Sequence, residues 1–396
     1  MRRSAAAVTL LVIAFARPAS ANGRFPASSA VVLGSGDTML VRATFGLLVS
    51  ADRGKSFGYV CERAVGFSGI EDPAYAITPS GAIVAATFEG LAVSRDHGCE
   101  WSFAGGPRKW MFVDLTTEPD GTLWAIRSTY SATTDAGIRY ENALFVSRDD
   151  ATSFAQVGAA IDPSLLLESV EVAGARVYVS GVRGEGAERE GVLLVSRDGG
   201  ATLDEKRVPM IAGERAPFVS GVEGERVWIR TAGDPSSRLL AFEGGAWRVA
   251  LESKTPLLGF ALGGGEVLAG SRDGLFVVGD GKRAPLEVQC LRGGAGVLWA
   301  CSSERSGFVV GASKDGGRTF DRKIHFADLR PLACAPTAAA ARLCGEDWAK
   351  LKRELLIPDA PREERPSSRL PWIAAFAGLV FGGVLAWLAR RRRAKT

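Results

Sequence analysis

Five stretches of the chain set a hydroxyl, a carboxylate and a glycine at fixed offsets. They are Ser50-Ala51-Asp52-Arg53-Gly54-Lys55-Ser56-Phe57, Ser94-Arg95-Asp96-His97-Gly98-Cys99-Glu100-Trp101 and Ser147-Arg148-Asp149-Asp150-Ala151-Thr152-Ser153-Phe154. Ser196-Arg197-Asp198-Gly199-Gly200-Ala201-Thr202-Leu203 and Ser313-Lys314-Asp315-Gly316-Gly317-Arg318-Thr319-Phe320 complete the set; the third copy has lost its glycine and the fourth its aromatic. An Asp in this position accepts backbone N–H groups as Asx turns do, and glycine supplies the positive φ of a tight connection. The Asp is therefore read as a buried acceptor whose removal costs about 1–3 kcal/mol. A Ca²⁺ loop would need further carboxylates at alternate positions. Arg53, Arg95, Arg148, Arg197 and Lys314 stand between Ser and Gly instead, so the stretches read as structural turns without metal or cofactor.

Other chemistry is sparse. His97 and His325 are the two histidines, and His97 sits inside a turn, which leaves little for a Ser-His-Asp set. No Cys-x-x-Cys occurs, so a zinc site is not expected. Glu71-Asp72 are adjacent carboxylates, but neighbours in a strand point to opposite faces. No catalytic residue is assigned.

The turns recur at blade spacing. Ser50 to Ser94 is 44 residues, with further steps of 53 to Ser147 and 49 to Ser196. Two worn copies, Phe242-Glu243-Gly244-Gly245-Ala246-Trp247 and Val278-Gly279-Asp280-Gly281-Lys282, divide the interval to Ser313. Upstream strands repeat as well: Leu123-Trp124-Ala125, Val177-Tyr178-Val179, Val227-Trp228-Ile229 and Leu298-Trp299-Ala300. Their aromatics read as packing between blades. Each repeat is strand, tight turn, strand, loop, strand, Asp-bearing turn, strand, the signature of a propeller blade. Glycine at 48 of 396 residues, against a usual level of about 7%, fits many tight turns. The fold class is thus all-β: one propeller of seven four-stranded blades, closed by residues 328–356 meeting the N-terminal strands near Ala30 to Leu33, with helix confined to a C-terminal membrane segment.

The net charge of +4 resides at the ends, because eight cationic residues and no acid fall in the first 21 and last 26 positions, leaving −4 for residues 22–370. That balance offers no basic face for nucleic acid. Residues 1–21 read as a signal peptide, cleaved after Ala19-Ser20-Ala21. Residues 22–357 form the propeller and 358–371 a Pro-rich stalk with Pro358, Pro361, Pro366 and Pro371. Residues 372–389 make a transmembrane helix and 390–396 a basic cytoplasmic tail led by Arg390 to Arg393. Exported cysteines suggest disulfides. Cys290 and Cys301 flank a Gly-rich turn, Cys334 and Cys344 are similarly spaced, and Cys61 with Cys99 remain.

The turns resemble the Asp-box, or BNR, repeat of sialidases, sortilin-type receptors and photosystem II assembly-factor propellers, over roughly residues 30–330. The resemblance implies the propeller fold, while the family spans enzymes, receptors and assembly factors. Its sialidases use an Arg triad, a Tyr nucleophile paired with a Glu, an Asp acid and a Phe/Tyr-Arg-Ile-Pro motif. Gly23-Arg24-Phe25-Pro26 reverses that motif, and the five tyrosines have no matching context. The C-terminal order of stalk, helix and Arg cluster is similar to bacterial sorting tags, without a cysteine after Cys344. The resulting expectation is a non-catalytic binding or scaffolding module, anchored in the bacterial inner membrane with the propeller in the periplasm, or at the cell surface if sorted. The partners would be the membrane and a protein or glycan ligand. A sialidase-like exo-glycosidase is the alternative, and an assembly factor for a membrane complex the third reading.

Topology is directly testable. Each arginine of the terminal cluster costs about 2.5–3.5 kcal/mol at a bilayer centre on insertion scales. Protease added to spheroplasts should digest the propeller while a tag after Thr396 stays protected; a tag accessible from outside would reverse the topology.

Overall fold

The computed structural model describes residues 26–68, 71–105, 109–134 and 137–358. Blade 1 comprises β1 (Ser28–Leu33), β2 (Met39–Ala43), β3 (Gly46–Ser50) and β4 (Gly58–Val60), followed by α1 (Glu62–Val65). Blade 2 is β5 (Ala74–Ile77), β6 (Ile83–Thr87), β7 (Gly90–Ser94) and β8 (Ser102–Phe103). Blade 3 is β9 (Phe112–Thr117), β10 (Leu123–Thr134), β11 (Gly137–Ser147) and β12 (Ala155–Val157). Blade 4 is β13 (Leu165–Ala173), β14 (Arg176–Arg183), β15 (Glu190–Ser196) and β16 (Asp204–Val208). Blade 5 is β17 (Glu214–Glu223), β18 (Arg226–Gly233), β19 (Ser237–Glu243) and β20 (Ala246–Ser253). Blade 6 is β21 (Leu257–Gly263), β22 (Glu266–Ser271), β23 (Gly274–Val277) and β24 (Gly281–Ala284). Blade 7 is β25 (Cys290–Gly294), β26 (Val297–Cys301), β27 (Val310–Ser313) and β28 (Asp321–Ile324).

The seven first strands touch their neighbours in order and form the inner ring, with β1 against β25 at the seam. Because every blade is an antiparallel meander, its first and third turns share one face of the ring, the turn face. The second loop and the blade-to-blade connections share the other, the loop face.

Strand composition follows position. The middle strands lie between two neighbouring blades and are apolar on both sides, as in β3, β6 and β7, where every residue is buried. Outer strands meet water; β16 carries Asp204, Glu205, Lys206 and Arg207, charges that blunt a sheet edge. The core consequently lies between blades. Trp124, Ile126 and Leu144 of blade 3 pack on Leu165, Val177, Val179 and Val192 of blade 4.

Closure differs from the expectation for residues 328–356. They do not reach Ala30 to Leu33. Instead β29 (Arg330–Pro331) adds in parallel to β4 as a fifth strand on the outer edge of blade 1. Helices α2 (Ala339–Leu343) and α3 (Gly345–Glu354) continue this strap, so helix is not confined to a membrane segment. Their signals were local: Glu346 and Asp347 in the first turn of α3, Lys352 and Arg353 in its last, matching the helix dipole. Tyr59 meets Trp348 at 5.8 Å between ring centroids, and Phe45 meets Phe326 at 5.6 Å.

Two disulfide pairings are corrected. Cys290 does pair with Cys301, its direct partner across β25 and β26. Cys61, however, joins Cys344, and Cys99 joins Cys334. Cys61 follows β4 and Cys99 lies in the third turn of blade 2; the strap passes both, with the Ala340 N–H bonded to Cys99 O, and sets its own cysteines 5.3 and 5.6 Å from them between Cα atoms. Bridging needs Cα atoms within about 7 Å. Three disulfides fit an oxidising, extracytoplasmic compartment.

Among the described residues no helix is long and apolar enough to cross a membrane. The expected signal peptide, spanning segment and basic tail, and the stalk past Pro358, lie outside the described residues.

The Asp-bearing turns close the third hairpins, and burial within them is the reverse of the expectation. Ser313 is 2% exposed, while Asp315 faces water at the rim. The Ser313 hydroxyl accepts the Gly317 N–H at 2.8 Å and donates to Asp315 Oδ1 at 2.7 Å. Ser313→Ala should therefore destabilise by about 1–3 kcal/mol, because it strands the buried Gly317 N–H. Asp315→Ala should cost less, since water replaces an exposed acceptor. Urea unfolding of both variants tests this ranking, and the opposite order would refute it.

Candidate functional site

The five turns share one bonding pattern. In each, the serine hydroxyl donates to the aspartate: Ser50 to Asp52, Ser94 to Asp96, Ser147 to Asp149, Ser196 to Asp198 and Ser313 to Asp315, at 2.7–2.9 Å. The same oxygen accepts the N–H of Gly54, Gly98, Ala151, Gly200 or Gly317. Where the glycine is lost, Ala151 still adopts a left-handed φ of 59°. Bonds from the hydroxyl and N–H of Ser153 and from the Ser147 hydroxyl hold Asp149 down to about 2; those from Thr319 lower Asp315 as well. Each turn lies in a separate blade, so the structure does not bring them together as one site.

The aromatics of the repeat are packing groups. Phe57 is buried, Trp101 Nε1 donates to Gly98 O at 3.0 Å, Phe320 meets Phe308 at 5.7 Å and Phe154 packs on the core between blades 2 and 3. Gly54, at φ 76°, leaves room for Trp299 of blade 7 at the seam. Trp124, Tyr178 and Trp228 are buried, and the worn turn of blade 5 stacks Phe242 on Trp247 at 4.7 Å. His97 lies beside a cavity of about 550 Å³ under the strap and contacts Thr38 Oγ1 at 3.3 Å; His325 pairs with Glu304.

Ionisable groups that sequence spacing could not connect converge on the channel. Asp114 of β9 accepts the Val170 N–H of β13 at 2.9 Å, and burial pushes its carboxyl up to about 7. Glu171 of β13 accepts from Thr116 at 3.1 Å; burial raises it, against the charge of Arg292 from blade 7. Burial also drives Glu168 up to about 7. Arg230 donates to Leu257 O at 2.8 Å, and burial lowers it to about 10 with help from the charge of Arg42. A cavity of about 290 Å³ opens toward the turn face between β1, β5 and β9, with Glu171 and Arg292 in its wall. Only period-2 alternation within β9 and β13 hinted that these side chains face inward.

The loop face has a different character. Hairpin β10–β11 is paired through Thr134↔Gly137, far beyond the reach of β9, which pairs only to Arg127. The hairpin leaves Tyr130 57% exposed, and Phe88 at the second loop of blade 2 is 44% exposed. At its base the Arg127 guanidinium lies over Trp110, 4.6 Å from the ring centroid. The tip of β10, Ser131 to Thr134, is hydrophilic and shows none of the apolar alternation that marks a strand in sequence. Among the described residues, no cluster of three potential metal ligands occurs.

No protein-family model matches the chain, and no curated protein matches it. Solved structures do. An ancestral GH74 enzyme superposes with a TM-score of 0.52 at 14% identity, covering 74% of this chain and 46% of its own. The chain thus spans a little under half the length of that enzyme. A GH74 xyloglucanase from Xanthomonas campestris gives 0.42 at 13% identity, covering 77% and 61%. YCF48 bound to D1 peptide gives 0.36 at 11% identity, covering 54% and 68%. The first likeness shows the propeller fold.

The channel acids give a pH dependence. A carboxyl near 7 in the folded state and near 4 unfolded binds its proton more tightly when folded, so stability falls as pH rises from about 4 to 7 and then levels. The turn aspartates act oppositely, and their contribution is lost as pH falls from about 4 toward 2. Thermal unfolding should show a lower Tm at pH 8 than at pH 5, and Asp114→Asn should shrink that difference. A pH-independent Tm in the parent would contradict the assignment.

Proposed function

We propose that the chain is an exported, membrane-tethered seven-bladed propeller that acts as a non-catalytic binding or scaffolding module for a protein or glycan of the cell envelope. In this reading residues 1–21 direct export, 22–357 form the module, 358–371 hold it off the membrane, and 372–389 anchor it with 390–396 inside. An assembly factor for a membrane complex is one form of the same role.

The carrying observation is the contrast between the two faces. The channel carboxylates are engaged across blades, Asp114 by the Val170 N–H and Glu171 by Thr116. The loop face presents Tyr130, Phe88 and an overhanging hairpin to solvent. Aromatic groups on a rigid scaffold are the usual anchors of a macromolecular interface. The raised acids Asp114 and Glu171 favour the second reading, a sialidase-like or other glycosidase, because glycoside hydrolysis uses a carboxyl pair with one member kept protonated. The cavity beside Glu171, about 290 Å³, does not include Asp114 in its wall; it lies at the small end for an organic ligand and supports binding over turnover of a polysaccharide.

The full chain in detergent should hydrolyse neither a fluorogenic sialoside nor xyloglucan. Photo-crosslinking from position 130 in intact cells should yield one dominant adduct that Phe88→Ala weakens. Hydrolysis abolished by Asp114→Asn or Glu171→Gln would replace the scaffold reading with the enzymatic one.

A further inference from the structure

The cavity on the turn face holds two polar groups that the fold leaves incompletely used. Thr116 donates to Glu171 Oε2, and Glu171 Oε1 has no partner among the described residues. Arg292, from the far side of the ring, makes no hydrogen bond or ion pair among the described residues, although its charge is felt at Glu171. Opposite charges that share a cavity without joining leave a gap that a ligand carrying both charges would fill. The remaining wall is aliphatic: Val32, Leu33, Ile77 and Leu115.

A carboxylate with half its lone pairs unused in a partly enclosed site is costly unless something binds there. A volume of about 290 Å³ equals roughly ten waters at about 30 Å³ each, enough for a small organic molecule but not for a sugar chain.

We propose that this cavity binds a small zwitterion, a free α-amino acid with an aliphatic side chain. Its ammonium lies against Glu171, its carboxylate toward Arg292, and its side chain on Val32, Leu33, Ile77 and Leu115. The site opens on the face opposite Tyr130 and Phe88, so it stands apart from the proposed macromolecular interface, and failure of either leaves the other intact.

Isothermal titration of the full chain in detergent with L-leucine, 4-methylpentanoate and 3-methylbutylamine tests it. Leucine should bind, and each half-analogue should bind about tenfold more weakly or worse, since each lacks a charge-assisted contact. Glu171→Gln should weaken leucine about tenfold and leave 4-methylpentanoate unchanged; Arg292→Gln should weaken leucine and leave 3-methylbutylamine unchanged. Glu171→Asp and Arg292→Lys keep the charges and provide further variants if either neutral variant unfolds, and each should weaken leucine by a smaller factor. Absence of leucine binding to the parent, or equal affinity in all folded variants, would overturn the proposal.

Discussion

A four-stranded sheet that is apolar on both faces cannot stand alone in water; it must be covered on each side by another sheet. Seven such sheets cover one another only if the last meets the first, so the whole core depends on the seam between β1 and β25. There is no exchange of an inner strand across that seam. The Ser28 hydroxyl bonds to Val309 O at 3.0 Å, and Trp299 packs where Gly54 makes room. The outer edge is tied by β29 on β4 and by two disulfides whose cysteines are 283 and 235 residues apart. A cross-link of that span removes much unfolded-state entropy, about 5.5 kcal/mol in the chain-entropy model, and the second, nested within the first, adds less.

Closure also explains the polar interior. The first strands meet edge to edge around the channel, and groups at register shifts are satisfied by the neighbouring blade. Val219 N–H bonds to Ser169, which shares a bond with Ser180, which donates to Pro217 O, all buried. Asp114 serves Val170 in the same way. Such bonds specify the order of blades more than they add net stability, since each replaces a bond to water. The same geometry brings residues 114, 171 and 292 within electrostatic reach of one another, though they belong to blades 3, 4 and 7.

How much was legible follows from range. The turns could be read because their chemistry is contained in eight residues: Ser50 and Asp52 meet within their own hairpin whatever the rest of the chain does. Even the worn copies at Gly244-Gly245 and Gly279 to Gly281 occupy third turns, as the spacing required. What depended on three-dimensional neighbours was not legible. Cys61 and Cys99 are close in sequence but do not pair with each other, and their partners lie in a strap whose course no periodicity announces. The burial of Ser313 rather than Asp315 turns on which atom faces the neighbouring blade, and Arg292 near Glu171 turns on the number of blades.

The strap has a mechanical meaning. Tension arriving along the polypeptide from beyond residue 356 first meets α3, then passes at Cys344 into Cys61 and at Cys334 into Cys99. The short β29 would unzip under load one hydrogen bond at a time, but the covalent links carry the force into blades 1 and 2 before β29 is stressed. Those blades act as the bracket of the assembly. Blades 3 to 6, with the overhanging hairpin and the inner acids, sit outside the line of pull and keep their shape while the strap is strained.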